Sequence, residues 1–389
     1  MDAGQLISMR VVLSVDAIKY PLTGIGRYTY ELANGLLRSD LEDCVFLHTG
    51  RLRSSLPVAS EQGSISKSGL GSRFVKTSVV RSAHAFIYSQ FQRLALRRTQ
   101  GYLFHGPNFI LPPIAGPKVV TFHDLSIFKW PETHPGQRVR QLKKAMLKAV
   151  QSADAIITDT EFTREEIADY FQRPLYSIHA IPLAASSEFV PQNHEMLSEV
   201  IESYHLKAGC YVFYTGTIEP RKNLDALFDA YELLPQRLRD RYPLVLSGFR
   251  GWCSEGLHER MQSAQRAGWL RYLGFVPQSD LPALMAGARL FVYPSMYEGF
   301  GLPVLEAMAS GVPVVCSNAS TLPEVAGAAA LMHAPRDIDA LGDCILTGLE
   351  NEQWRAEAIR AGLLQAGKFS WEKCIQKTLD VYGVVADCC

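Results

Sequence analysis

The 389-residue chain lacks a charge excess: Lys plus Arg and Asp plus Glu each number 39, so its global charge gives no reason to expect a nucleic-acid partner. It also lacks any apolar run near the roughly 20 residues that span a bilayer, and Val11–Val15 is too short for a signal-peptide core. The expectation is a cytoplasmic protein, with residues 1–8, ahead of Met9, as an extension outside the fold. Its eight cysteines, at positions 44, 210, 253, 316, 344, 374, 388 and 389, lack the repeated short spacings of a zinc site or a disulfide framework, which points to reduced thiols. Cys388-Cys389 spells a double-cysteine prenylation signal, although two residues carry little weight against an unmodified end. The absence of internal repeats and low-complexity tracts excludes solenoid and fibrous architectures.

What is present is an ordinary globular composition, 47% hydrophobic and 20% charged, in a chain longer than the roughly 250–300 residues at which one core stops growing. Two domains follow. The charges are unevenly shared: residues 1–185 carry 22 basic and 15 acidic side chains, residues 186–389 carry 17 and 24. A basic front half suits an anionic surface or substrate, and equally a solvated face.

Short β-branched runs alternate with helical patterns from end to end, the signature of α/β domains with parallel sheets. In the front half the runs Arg10–Val15, Cys44–His48, Lys118–Phe122, Ala155–Thr158 and Ser177–Ile181 read as strands. Arg27–Leu37, Arg138–Val150 and Thr163–Phe171 read as helices, the last opened by Thr163 with Glu166 as a capping box. The pattern restarts with strands Tyr211–Tyr214, Leu244–Ser247, Leu270–Gly274, Leu290–Tyr293 and Pro313–Cys316 and helices Leu224–Leu233 and Leu281–Ala286. The predicted fold class is therefore α/β, two doubly wound Rossmann-like domains, 9–185 and 194–370, joined by the Ala184–Asn193 linker. Ligands bind outside the carboxyl ends of such strands, so the site falls in the cleft between the sheets. Ser54–Ser72 reads as a mobile loop.

Tyr297–Gly311, YEGFGLPVLEAMASG, follows a strand and holds two carboxylates, Glu298 and Glu306, with seven residues between them. Gly299 and Gly301 allow a tight turn and Pro303 suits the first helical position, so Glu298 lies in a loop and Glu306 about one turn into a helix. The amides near Phe300, Gly301 and Leu302 then form an anion site suited to a diphosphate. The plainer alternative is two carboxylates capping a helix. In Tyr214–Leu224, YTGTIEPRKNL, a strand ends in a glycine turn and presents Arg221 and Lys222, cations able to bind a diphosphate and the charge growing on it as a leaving group. The plainer alternative is a solvent-exposed pair at a turn.

Together these segments resemble glycosyltransferase family 4, retaining enzymes of the GT-B fold, with Gly216, Arg221, Lys222 and Asn223 in the family's G-x-x-x-x-R-K-N context. GFVPQSDLPALMAGARLFVYPS and FSWEKCIQKTLDVY extend the resemblance over nearly the whole chain. It implies that Glu306 holds the donor ribose, that Glu298 contacts the transferred sugar or a phosphate, and that Gly274–Leu281, including Val276 and Leu281, borders the base. It also implies a terminal helix, within 371–389, crossing back to the front domain. Thr23–Tyr30 resembles the family's glycine-rich loop near donor and acceptor, through Gly24 and Gly26, and is not a nicotinamide fingerprint because Thr29 replaces the third glycine. TFHDLS resembles the family's active-site histidine position, which ranks His123 above His105 of the loop HGPNFILPP.

The implied reaction is a front-side displacement in which the departing phosphate oxygen takes the acceptor's proton. Asp337 and Asp339 spell the Asp-x-Asp of metal-dependent transferases but follow Pro335 at a helix start, so capping is expected and no metal or other cofactor. The implied partners are a nucleotide-sugar donor, GDP-mannose or a relative, and a lipid-linked or glycan acceptor of O-antigen or exopolysaccharide type. The basic stretch Gln137–Val150, with Arg138, Arg140, Lys143, Lys144 and Lys148, suits peripheral contact with anionic lipid headgroups. The alternatives are a sugar-nucleotide epimerase or hydrolase of the same fold, or a non-catalytic sugar-binding protein.

Overall fold

The structure, a computed structural model, describes residues 9–22, 24–58, 92 and 94–387. The N-terminal extension, Thr23, most of the Ser54–Ser72 loop and Cys388-Cys389 lie outside the described residues. Among the described residues two sheets form. The first runs β3-β2-β1-β4-β5-β6-β7, built from β1 (Arg10–Ser14), β2 (Asp43–His48), β3 (Arg51–Arg53), β4 (Leu103–Gly106), β5 (Lys118–Phe122), β6 (Ala155–Thr158) and β7 (Ile178–Ala180). The second runs β10-β9-β8-β11-β12-β13, built from β8 (Val212–Thr215), β9 (Leu244–Ser247), β10 (Leu270–Tyr272), β11 (Leu290–Tyr293), β12 (Val314–Ser317) and β13 (Ala330–His333). The pairings are parallel except for β3, which folds back antiparallel on β2. The strand order reverses between β1 and β4 and between β8 and β11, where doubly wound sheets bind ligands.

The strands read best from sequence are those buried on both faces. Every residue of β6, β8, β9, β11 and β12 is buried, so apolar runs as short as AIIT and LVLS suffice to specify them. Two of the expectations need correction. His105 lies not in a loop but in β4, the central strand, between β1 and β5. And the helix Glu161–Phe171 is capped by Thr160, whose hydroxyl accepts from the Thr163 amide at 3.2 Å; Glu166 sits mid-helix and plays no part in the cap. β3 and β13 were also not anticipated. Asp337 does cap its helix, its carboxylate accepting from the Ala340 amide at 2.9 Å.

The helices Gly24–Leu37 (α1), Gly136–Ser152 (α2) and Glu161–Phe171 (α3) accompany the first sheet. α2 buries Val139, Met146, Ala149 and Val150 at helical spacing and turns its basic face outward. The last helix, Trp371–Asp387, packs against α1, β5 and β6. A Cβ on Gly35 of α1 would lie 2.0 Å from Ile375 Cδ1, so the glycine is what lets the two helices approach. His105 closes the contact: its Nδ1 pairs with the Tyr382 hydroxyl at 2.6 Å and its Nε2 with Thr121 Oγ1 at 2.8 Å. Burial, helped by His123, pushes this imidazole down to about 3, so it is neutral and structural. The first sheet's core also takes in Phe300, Leu305 and Val325 from the second half, which joins the two units through an apolar seam.

Candidate active site

The site assembles where residues just past β5 and β6 meet those just past β8 and β11. Beyond β8 the chain turns so tightly that a Cβ on Gly248, in the neighbouring loop (φ 143°), would fall 1.8 Å from the Gly216 carbonyl oxygen. The turn continues into the short helix Pro220–Lys222 and then Asn223, which adopts φ 57° and donates from its side chain to the Pro294 and Pro335 carbonyls at 3.1 and 2.7 Å. Asn223 thereby ties the cation turn to the end of β11.

Arg221 and Lys222 are not an exposed surface pair. Lys222 is buried, with Nζ 2.6 Å from Glu298 Oε1 and 2.7 Å from the Tyr293 hydroxyl. Arg221 reaches Glu219 Oε1 at 2.6 Å and Glu298 Oε2 at 3.2 Å, and donates from Nη1 to the Tyr297 carbonyl. Glu298 therefore accepts from Lys222 and is ion-paired with Arg221. Burial by itself favours its neutral form, but Lys222 and Arg221 overturn that and hold the carboxyl at about 2. Two acids and two bases share the pocket, while Arg221 Nε, Glu219 Oε2 and the Tyr214 hydroxyl are buried without hydrogen-bond partners among the described residues. Because two carboxylates already balance the two cations, a further anionic ligand has to share their donors with Glu298 and Glu219 or use the spare Arg221 Nε.

Glu306 stands in the opposite environment. It lies in the helix Leu302–Ala309 (α4), nucleated by Gly301 at φ 95° with Pro303 in the first turn, and its carboxyl accepts no hydrogen bond among the described residues. Burial pushes it up to about 8, with Arg27 opposing and Glu188 reinforcing the rise. Arg27 belongs to α1 and lies 3.9 Å from Glu188, so the front half contributes to this pocket. The amides of Phe300, Gly301 and Leu302 donate no hydrogen bond to backbone groups of the described residues, whereas the Phe300 ring is buried in the first sheet's core. Only its backbone remains available.

His123 and Asp159 sit at adjacent strand ends and share a 2.7 Å contact through Nδ1, while Nε2 donates to the Pro107 carbonyl at 2.9 Å. A ring with acceptors at both nitrogens fits the imidazolium. Burial works against the charge, but Asp159 and Pro107 outweigh it and raise the histidine above its ordinary range. Neither nitrogen is free. His123 meets the second half through its backbone: a Cβ on Gly299 would lie 2.0 Å from the His123 carbonyl oxygen. The loop after β9 crosses as well, Trp252 donating to the Thr133 carbonyl and lying under Arg138 at 4.6 Å.

Not every sequence-selected residue converges here. Gly24 and Gly26 form the first turn of α1 rather than a loop. The Val276 side chain is part of the second sheet's core, leaving only its backbone to a ligand, and Leu281 is half-buried at the start of its helix. Glu219, Tyr293, Tyr297, Asp159, Arg27 and Glu188 were missed. Asp159 carried a readable signal, because it follows β6 as His123 follows β5.

Residues 198–365 match the profile of the family described as glycosyl transferases group 1. The chain is 43% identical over 378 residues to the O-antigen chain mannosyltransferase B of Escherichia coli, covering 96% of this chain and 99% of that one. It is also 32% identical over 269 residues to the serotype-specific mannosyltransferase WbdA of Escherichia coli, covering 67% of this chain and 33% of that one. Among solved structures, sucrose-phosphate synthase from Thermosynechococcus elongatus superposes with a TM-score of 0.72 at 19% identity, covering 98% of this chain and 100% of that one. WaaG, a glycosyltransferase involved in lipopolysaccharide biosynthesis, does so at 0.71 and 15% identity, covering 95% and 99%. With two parallel sheets in the GT-B arrangement and sequence identity sustained along nearly its whole length, the chain belongs to the group 1 glycosyltransferases and is an enzyme of that family.

Proposed function

We propose that the enzyme transfers mannose, with retention of configuration, from GDP-mannose or a closely related nucleotide sugar to a lipid-linked glycan of the O-antigen type. The observation that carries this is the buried Arg221–Lys222–Glu298 cluster beside unpaired amides at the start of α4, in a chain similar along its length to an O-antigen mannosyltransferase. In this reading the donor diphosphate shares the two cations with Glu298 and takes the amides of Phe300, Gly301 and Leu302. Glu306, protonated below about 8, both donates to and accepts from the ribose hydroxyls. The base lies along the backbone of Gly274–Leu281. Glu298 faces the transferred sugar, and charge developing on the departing diphosphate is met by Arg221 and Lys222 without a metal ion. The departing phosphate oxygen takes the acceptor's proton, and the loop that carries His123 lines the front-half side of the site, towards the transferred sugar and the acceptor. The domains of this reading are 9–185 with 371–389, and 194–370.

The acceptor's lipid places the enzyme at the cytoplasmic face of a membrane. α2 supports this with an exposed row of Arg140, Lys144 and Lys148 beside exposed Leu147. Arg138 and Lys143 contribute less, since they lie over the Trp252 and Phe128 rings at 4.6 and 5.4 Å.

The test is product analysis with GDP-, UDP-, ADP- and dTDP-sugars and a polyprenyl-diphosphate-linked oligosaccharide. The expected result is acceptor extension with GDP-mannose, in an anomeric configuration matching the donor by NMR. Free mannose without extension marks a hydrolase, a changed sugar stereocentre marks an epimerase, and either overturns the proposal.

A further inference from the structure

Tyr297 touches both halves of the molecule from a position adjacent to Glu298. Its backbone carbonyl accepts from Arg221 Nη1, inside the cation cluster. Its side chain points the other way: the hydroxyl accepts from the Leu125 amide at 3.0 Å and donates to Glu166 Oε2 in the middle of α3. Glu166 is held in turn by Lys129, 3.4 Å from its other oxygen. Tyr297 is only 4% exposed, which keeps its phenol protonated and a donor to the carboxylate.

α3 receives the second half at two further points. The Glu324 carboxylate accepts from the Glu161 and Phe162 amides at 3.0 and 3.2 Å, where the helix dipole favours an anion, and Thr160 Oγ1 lies 3.5 Å from the Gly299 carbonyl. The loop bearing Glu298 thus docks on one front-half helix, and Tyr297 is the docked residue that also holds Arg221.

We propose that Tyr297 and Glu166 are positioning residues that couple closure of the two halves to the orientation of the Arg221 guanidinium. When the phenol seats on Glu166 and Leu125, the Tyr297 carbonyl fixes Nη1 of Arg221, the arm that also faces Glu298, leaving Nη2 on Glu219 and Nε for the donor. When the halves separate, that arm loses its register while both cations remain. The proposal rests on the reading of Arg221 as the diphosphate ligand. It predicts that the pair governs turnover far more than nucleotide binding.

The test compares Tyr297→Phe, Glu166→Ala, Glu166→Gln and the double variant Tyr297→Phe/Glu166→Ala for kcat, KM, GDP and UDP affinity by calorimetry, and thermal midpoint. Tyr297→Phe and Glu166→Ala should each lower kcat by about tenfold or more while the nucleotide Kd weakens by less than that, by the share that closure contributes to binding. The double variant should be no worse than the poorer single one, because both remove the same contact. Glu166→Gln, which keeps an acceptor for the phenol, should recover most of the loss. Solution X-ray scattering reads closure without turnover: GDP or UDP should compact the wild type and not Tyr297→Phe. Unchanged kcat, additive losses, or a fall in kcat matched by falls in nucleotide affinity and thermal midpoint would overturn the proposal. If nucleotide compacts the wild type and not Tyr297→Phe, but the wild type transfers no sugar, the assigned reaction fails while the coupling stands.

Discussion

Glu298 and Glu306 belong to one short motif, yet their surroundings drive them in opposite directions. Glu298 sits against two cations and is held at about 2; Glu306 is buried with no hydrogen-bond partner among the described residues and is pushed up to about 8. The difference lies in what tertiary structure brings to each: the turn after β8 carries Arg221 and Lys222 to Glu298, whereas among the described residues Glu306 feels Arg27, offset by Glu188. Two identical side chains thus acquire an ionised and a neutral role, suited to a charged cluster and to sugar hydroxyls.

The strongest way to break this comparison is Glu298→Gln, which leaves Lys222 buried beside Arg221 without its carboxylate. We expect destabilisation of about 3 kcal/mol, read from urea unfolding, and at least a ~100-fold loss of transfer. Unchanged stability would show that the cations are paired elsewhere. Gly299→Ala follows, since its Cβ would overlap the His123 carbonyl oxygen at 2.0 Å and force the halves apart. A roughly 10- to 100-fold loss of kcat is expected, with a larger radius of gyration in nucleotide-bound scattering.

The pH dependence sharpens the contrast, because the two signs differ. Glu298, depressed from 4.5, contributes stability that is present above pH 4.5 and lost as pH falls towards 2. Glu306, raised from 4.5, binds a proton in the native state that the unfolded state releases, so stability declines as pH rises from 4.5 to about 8. Glu306→Gln should flatten the thermal midpoint between pH 5 and 8, removing a decline of about 3–4 kcal/mol, and should abolish any inflection near 8 in nucleotide binding. A slope unchanged by the substitution would place the titration elsewhere. The smallest effect belongs to Tyr382→Phe, which removes one partner of neutral His105 and should cost about 1 kcal/mol by calorimetric unfolding with no change in nucleotide Kd.

Much of the fold was legible because burial is written into short apolar runs. β5, β6, β9 and β11 and the helix Leu224–Leu233 have the boundaries read from sequence. β4 was not legible: LFHG contains a histidine and a glycine, and its central place comes from pairing with β1 and β5. Within the site, Glu298, Glu306, Arg221, Lys222 and His123 stood out by motif, but their partners did not. Tyr297 and Glu166 are separated by 131 positions, His123 and Asp159 by 36, and no periodicity connects them.

The sequence by itself determined two parallel α/β units, the turn that places Arg221 and Lys222, and the loop-to-helix passage from Glu298 to Glu306, because these depend on local backbone preference and on which residues must leave water. Tertiary structure alone decided which carboxyl is ionised, where both nitrogens of His123 are spent, and that the loop carrying Glu298 docks on α3. Those outcomes depend on distances between residues far apart in the chain, and electrostatic and hydrogen-bond energies are set by such distances and by burial rather than by residue order.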